Sequence, residues 1–390
     1  MILSSRITGV KASPTLAITA FAKQMKASGV DVVNFAAGEP DWDTPDSIKE
    51  AAIDAIKSGF TKYTPTSGLP ELKQAIIEKF QKDNQLIYKP EQIVVSSGAK
   101  HSLYNILQVI IDANDEVIIP SPYWVSYPEM VALATGKLVI VKTKEKNNFK
   151  LEIKDLEETI TKKTKALILN SPSNPTGCIY NKDELTEIAK ICVAKGIFCI
   201  SDEIYEKLIY DGNQHVSIGA LNNKIYDLTF TVNGVSKTFS MTGWRIGYLA
   251  GPLEAVSAIS RLQDHSTSCP SSISQKAAIA ALKLDSSFID SMVSEFEKRR
   301  NFIMQKLENF KLISYIRPAG AFYIFCNVSK TGLNSQEFCR RLLEEIWIAA
   351  IPGKEFGNDK YVRFSFATSM EDIKKGLDRL SDWLNKFNRT

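Results

Sequence analysis

Long apolar runs are missing from this chain. No stretch reaches the ~18 consecutive apolar residues of a membrane-spanning helix. Met1 to Ser13 carries Arg6 and Lys11 and has no apolar segment of signal-peptide length. Neither membrane insertion nor export is expected, and the expected compartment is the cytoplasm. Long Lys/Arg runs are missing too, and a net charge of +4 is modest for 390 residues, which argues against nucleic acid as a partner. The six cysteines (Cys178, Cys192, Cys199, Cys269, Cys326 and Cys339) are scattered and form no C-x-x-C pair. That speaks against a zinc site and a disulfide framework, so reduced thiols and no metal are expected. Internal repeats and low-complexity linkers are absent as well.

What remains is ordinary for a soluble globular protein, with 44% hydrophobic and 24% charged residues in a length that suits two domains. Strand-like and helix-like segments alternate from about Thr44 to about Ser287. Thr44-Pro45 reads as an N-cap followed by proline at the first helical position, opening a helix through Lys57. Apolar runs follow at 93–97 (IVVSS), 116–120 (EVIIP), 137–141 (KLVIV), 165–170 (KALILN), 196–201 (GIFCIS) and 228–232 (LTFTV). Amphipathic stretches such as Lys182 to Lys195 separate several of them. Parallel strands joined by crossover helices are buried on both faces, which accounts for runs so nearly continuous in apolar residues. From about Ser291 the texture changes to a long charged helix, the segments YIRPAGAFYIFCNV, WIAAIP and YVRFSF, and a final helix. The expected fold is α/β: a large domain over 44–287 with a mainly parallel central sheet flanked by helices, plus a smaller α+β domain from 1–43 and 288–390.

Open α/β sheets bind ligands at the carboxyl ends of their strands, so those ends come first. Gly98-Ala99-Lys100 follows the first run at a helix start, where backbone N–H groups suit a phosphate. Ser171 to Gly177 (SPSNPTG) follows the fourth; taken alone, Asn174 is a turn former there. Asp202-Glu203-Ile204-Tyr205 follows the fifth, and Asp202 as a simple helix N-cap is an even alternative. Ser236-Lys237 follows the sixth, with Trp244-Arg245 shortly after. One lysine in a Lys-rich chain is ordinarily a solvated surface charge. Four such sites, arriving in sheet order at strand ends, combine a phosphate cradle, an acid, a phenol, an amine and an arginine.

NPTG, SDEIY, SKTFSMTGWRIGY and VRFSFATS resemble the motifs of the class I aminotransferases, the fold-type I pyridoxal-phosphate enzymes. FAAGEPDWDTP, TKYTP and PYWVSYPEM extend the resemblance over almost the whole chain, nearest to the bacterial aspartate and aspartate/prephenate branch. The resemblance implies pyridoxal 5'-phosphate as cofactor, with Lys237 as Schiff-base lysine and proton shuttle. It implies Asp202 on the pyridine nitrogen, Tyr205 and Asn174 on the ring 3'-oxygen, and Trp124 stacked on the ring. The phosphate would lie on Gly98, Ala99 and Lys100, beside Ser236 and with Arg245 as counter-charge. Tyr63 would reach the phosphate of a partner subunit, making a homodimer. Arg363 would clamp the substrate α-carboxylate, and Gly38 would close over the substrate, with Trp124, Asn174 and Lys100 also lining its site.

Two positions depart from the pattern. Gly234 stands where the family often has a phosphate-binding serine. In Leu262-Gln263-Asp264-His265-Ser266, no arginine occupies the place from which one subgroup reads the distal carboxylate, and Asp264 would repel a dicarboxylate if it pointed inward. Lys100 matches a lysine of the related bacterial branch, which favours an acidic substrate. The expected reaction is ping-pong transamination from aspartate to 2-oxoglutarate. Prephenate, with Lys11 assisting, and aromatic or kynurenine-type substrates are the near alternatives. A remote one is a serine acyl-enzyme of penicillin-binding type, because Ser97-Gly98-Ala99-Lys100 fits S-x-x-K and Lys330-Thr331-Gly332 fits K-T-G. No S-D-N element lies between them. Loss of the lysine or the carboxylate clamp would mark a non-enzymatic binding module, and both residues are present.

Overall fold

The computed structural model describes residues 3–12 and 14–387. In chain order its strands are β1 (Val33–Asn34), β2 (Ile93–Ser96), β3 (Glu116–Ser121), β4 (Lys137–Lys142), β5 (Thr164–Asn170), β6 (Phe198–Asp202) and β7 (Thr229–Gly234). Then come β8 (Gly247–Ala250), β9 (Ser314–Tyr315), β10 (Tyr323–Asn327), β11 (Ile348–Ala349), β12 (Ile351–Pro352) and β13 (Tyr361–Ser365). Seven of them form one sheet in the order β2-β8-β7-β6-β5-β3-β4. β3 to β7 run parallel. β8 is antiparallel to both its neighbours, so β2 points the same way as the parallel set.

Most of these strands bury nearly every residue because helices cover both faces. β4 departs from the expectation for KLVIV. It lies at the sheet edge, and Lys137, Ile140 and Lys142 are exposed, so it is a one-sided strand blunted by lysines. The run GYLA (247–250) is a strand that the sequence reading did not anticipate. Chain order is also not sheet order, since β2 lies beyond β8 and β7 rather than beside β3.

The helix Lys182–Lys195 shows how local chemistry and packing agree. Asn181 accepts from the Glu184 N–H at 2.9 Å, Glu184 returns the bond to the Asn181 N–H at 2.8 Å, and Gly196 ends the helix at φ +64°. Leu185, Ile188, Ala189 and Cys192 form its buried stripe against the sheet, where each large side chain contributes about 1.5–3 kcal/mol. The helix expected from Thr44 instead spans Asp46–Lys57, with Pro45 at the N-cap position. The Thr44 hydroxyl is engaged elsewhere, donating to the Ser240 carbonyl at 2.8 Å and accepting from the Trp244 indole at 3.0 Å.

A second, antiparallel sheet has the order β12-β13-β10-β9. β1 pairs in parallel with β11, so the early chain returns to the late chain. Lys11, by contrast, donates its backbone N–H to Glu129 on the helix Ser126–Leu133. No helix among the described residues is long and apolar enough to cross a membrane.

One buried ion-pair group fixes the chain just before β10. Arg300, with 0% exposure, grips Asp211 through two 2.7 Å bonds and donates to the Pro318 carbonyl at 3.0 Å. Arg317 adds a second fork to Asp211 at 2.9 and 2.6 Å. Tyr210 N–H to the Ala319 carbonyl and Ala321 N–H to the Leu208 carbonyl continue the seam. Bonds from Arg317, then from Arg300, hold the Asp211 carboxyl far below the usual range. Asp211→Ala therefore leaves buried Arg300 with Glu297, at 3.2 Å, as its one remaining carboxylate among the described residues and is expected to cost about 3 kcal/mol, measured by denaturant titration at pH 7. Because the carboxyl pKa is depressed in the fold, this contribution stands above the unfolded value of about 3.9 and fades as pH falls further. Parent-like stability of the variant at pH 7 would contradict the assignment.

Candidate active site

Parallel pairing brings the carboxyl ends of β5, β6 and β7 side by side at Asn170, Asp202 and Gly234. β8 runs the other way, so it begins at this same edge and places Arg245, two residues before its start, beside the strand ends. A cavity of about 600 Å³ opens over the edge, within the ~300–1,000 Å³ usual for small-molecule sites. It brings together Gly38, Ala99, Lys100, Trp124, Asn174, Asp202, Tyr205, Ser236, Lys237, Arg245 and Arg363, nearly the whole expected set.

Lys237, half-buried, and Asp202, buried, both line it. The Lys237 amine donates to the Gly38 carbonyl at 2.6 Å. Burial pulls its pKa down to about 8, with Glu39 opposing the shift and Arg245 and Arg363 adding to it. Asp202 accepts from the Tyr127 hydroxyl at 2.7 Å and from the Ile204 N–H at 3.3 Å, and burial raises its pKa to about 6. No helix begins at Asp202, so it is not an N-cap. Among the described residues no cation lies within ion-pair distance of its carboxylate.

Asn174 is held by its own loop and also lines the cavity. Its backbone N–H donates to the Asn170 side chain, and its side-chain Oδ1 accepts from Arg363 Nη1 at 2.9 Å. Its place in the turn and its place on the cavity wall therefore coexist. Arg363, on β13, is buried; Nη2 donates to the Ala36 carbonyl at 2.9 Å, while Nε has no partner. Its guanidinium lies 4.2 Å from the Tyr323 ring and 5.1 Å from the Phe356 ring. The Tyr205 and Tyr323 hydroxyls are 2.9 Å apart, and the Lys237 amine is 6.0 Å from the Tyr205 ring. Trp124 meets Tyr127 edge-on at 5.3 Å, and the Lys100 amine sits 4.9 Å over its ring.

Gly98 precedes the helix Ala99–Ile110 at φ +90°, and a Cβ there would fall 2.2 Å from Arg245 Nη2. Arg245 itself donates to the Thr242 and Ser97 carbonyls. The cradle thus needs glycine for both conformation and close approach. Gly234 is confined by β8, since a Cβ would lie 3.0 Å from Gly247 Cα and from the Ile246 carbonyl. A serine there would require β8 to give by a few tenths of an ångström. Ser236 lines the cavity instead.

Of the residues singled out in the sequence, Gly98, Tyr63, Asp264 and Lys11 do not line the cavity of this chain, and Tyr63 was expected to serve that of a partner. Tyr63 is 91% exposed and lies apart, near Cys269 and Pro270. Asp264 is exposed at the end of the helix Leu253–Asp264 and does not point inward; its neighbour Gln263 is the buried one. Lys11 is exposed, and Lys23 takes the place at the rim, 3.4 Å from Glu39. The penicillin-type reading loses its site, because Lys330 and Thr331 lie in a short turn outside the cavity that Lys100 lines.

Sequence reasoning missed Tyr127, Asn170, Glu39 and Tyr323. Asn170 ends a strand and was open to the same strand-end rule. Tyr127 and Tyr323 carry no local signal. Behind the site, Glu203 accepts from Ser201, Ser217 and Asn84 and meets His215 Nε2 at 2.8 Å. Glu206 pairs with Lys79 and accepts from Asn84 at 2.7 Å. With His215 these carboxylates have the spacing of a metal group, but Lys79 already supplies a cation to Glu206.

Comparison with known proteins fits this geometry. The family model for aminotransferase class I and II matches residues 30–380, so the chain belongs to that family. It is 48% identical to the aspartate aminotransferase of Bacillus subtilis (strain 168), with 100% of each chain covered. It is 45% identical to the probable aspartate/prephenate aminotransferase of Aquifex aeolicus (strain VF5), covering 99% of each. The structure of Thermus thermophilus aspartate aminotransferase with maleate superposes with a TM-score of 0.95 at 41% identity, covering 98% of this chain and 99% of that one.

The chain is therefore an aminotransferase, an enzyme of small amino and 2-oxo acids, and its cofactor is pyridoxal phosphate. The residues fit that group: a buried carboxylate without a counter-ion, an amine of lowered pKa, and a glycine-gated helix start under an arginine. One measurement tests the electrostatics directly. In cofactor-free protein, covalent labelling of Lys237 by an amine reagent, followed by mass spectrometry, should rise with a midpoint near pH 8. A midpoint near the ordinary lysine value of about 10.4 would mean that the amine is solvated.

Proposed function

We propose that this chain transfers the amino group of aspartate to 2-oxoglutarate, donor and acceptor using the one cavity in turn. The observation that carries the proposal is the sharing of that cavity by a buried amine of lowered pKa and two further cations, Arg363 and Lys100. When bound, pyridoxal phosphate supplies an electrophilic carbon and a ring that accepts electrons. Asp202 would hold a proton on the ring nitrogen, since its buried charge lacks a cation. Asn174 and Tyr205 would face the ring 3'-oxygen, and Trp124 the ring plane. The backbone N–H groups of Ala99 and Lys100, with Ser236 and Arg245, would take the phosphate.

The chain's own groups then divide the work. Arg363, fixed by Asn174, Ala36 and two aromatic rings, presents a preorganised fork to the α-carboxylate. Gly38 lies close over Lys237 and would cover the substrate. Lys237 Nζ, partly neutral near pH 8, would take the proton from the substrate Cα and deliver it to the cofactor's electrophilic carbon, ending as the free amine again. Lys100 would read the distal carboxylate from the rim. Tyr63, exposed and outside its own cavity, would serve the phosphate of a second copy, giving a homodimer with shared sites in the cytoplasm. Residues 44–287 would form the unit bearing the cofactor, with 1–43 and 288–390 as the smaller domain.

Prephenate is the second reading, favoured by the cationic Lys23 at the rim and by the name of the Aquifex relative. Single-turnover rates for aspartate, glutamate, tyrosine and arogenate decide between them; aspartate is expected to be fastest. Lys237→Ala should lose about 10⁴-fold or more in turnover while still binding cofactor, and full activity would sink the assignment. Lys100→Met should lower kcat/KM for aspartate by about 10–100-fold, the worth of one charge-assisted contact, and spare phenylalanine. Equal losses would remove Lys100 from substrate reading.

A further inference from the structure

Tyr205 and Tyr323 come from different sheets, one just past β6 and the other opening β10. Both are buried, and their hydroxyls meet at 2.9 Å. No other hydrogen-bond partner of either hydroxyl is found among the described residues. One proton occupies the gap between the two oxygens, so one tyrosine donates and the other keeps its own proton for something else.

The surrounding charges choose the donor. The Arg363 guanidinium rests 4.2 Å from the Tyr323 ring, a position that makes Tyr323 the stronger acid. Burial raises the pKa of both phenols, and of Tyr205 the further. Arg363 opposes the rise at both but ranks directly after burial only at Tyr323, while Asp202 adds to the rise at Tyr205 and Glu39 to that at Tyr323. The stronger acid is the better donor. Tyr323 is also pinned, because the Arg300–Asp211 group and the seam from Leu208 to Ala321 fix the chain leading into it.

We propose that Tyr323 is a positioning residue of the transamination site: it donates its hydroxyl proton to Tyr205, turning the Tyr205 proton into the cavity, and its ring supports Arg363. The inference rests on the functional reading above, in which Tyr205 faces the cofactor's 3'-oxygen. A hydroxyl that accepts a hydrogen bond donates a stronger one, so Tyr323 would strengthen the hold of Tyr205 on that oxygen. One side chain thereby couples the cofactor contact to the carboxylate clamp.

The test is a pH titration of the visible absorbance band of the cofactor-loaded enzyme. Tyr323→Phe should raise the band's midpoint by about 0.3–0.5 pH unit, less than Tyr205→Phe does. In the Tyr205→Phe background the same change should shift nothing, because the relay is already broken. Tyr323→Phe keeps the ring, so KM for aspartate should stay within about twofold while kcat falls. Tyr323→Leu removes the ring and should raise KM for aspartate and phenylalanine alike by about 3–30-fold, the span of a cation–π contact. An unmoved midpoint in Tyr323→Phe, or an equal shift with and without Tyr205, overturns the relay. Absence of any pyridoxal band in the parent enzyme overturns the functional reading and this inference with it.

Discussion

Parallel pairing of β6 with β7 is the constraint on which the rest of the site depends. In register, Asp202 lies opposite Val232, so the chain leaving β7 reaches Lys237 over the same edge that carries Asp202. Two opposite charges thus enter one apolar-walled cavity from adjacent strands without forming an ion pair. Burial then moves both toward neutrality, raising the acid and lowering the amine. A direct contact between them would quench both shifts. Their separation keeps an amine that can exchange protons near neutral pH and a carboxylate ready for a cationic ring.

The remaining parts supply enclosure and aim. β8 reverses direction and so delivers Arg245 to the edge where the parallel strands finish, beside the glycine that opens the helix Ala99–Ile110. The antiparallel sheet brings Arg363 and Tyr323 from the far end of the chain, and the Arg300–Asp211 group ties that sheet to the turn after Tyr205. Each contributor is rigid because its neighbours are hydrogen-bonded or packed. Precise placement of this kind is what a transfer reaction at one carbon requires.

Much of this was open to sequence reasoning, for identifiable reasons. Buried two-sided strands advertise themselves as apolar runs, and β2, β3, β5, β6 and β7 fell within a residue or two of those runs. Strand ends in such sheets collect function, which exposed Asp202, Asn174 and Lys237. Where local rules failed, a tertiary contact had overridden them. Thr44 had a cap's chemistry but was drawn to Ser240 and Trp244. KLVIV had a core strand's letters but found itself at an edge. Gly234 looked like a lost phosphate contact, and the fold adds that the backbone of β8 lies close against it.

The sequence alone determined the alternation of strands and helices, the chemistry at each strand end and the family, because these depend on residue type at short spacing. Only the tertiary structure decided the sheet order, the inward or outward facing of Asp264, Lys11 and Lys23, and the meeting of Tyr205 with Tyr323 across 118 residues. It also decided the acidities of Lys237 and Asp202. A side chain's pKa and its partners depend on what surrounds it in three dimensions, and no local pattern encodes that surrounding.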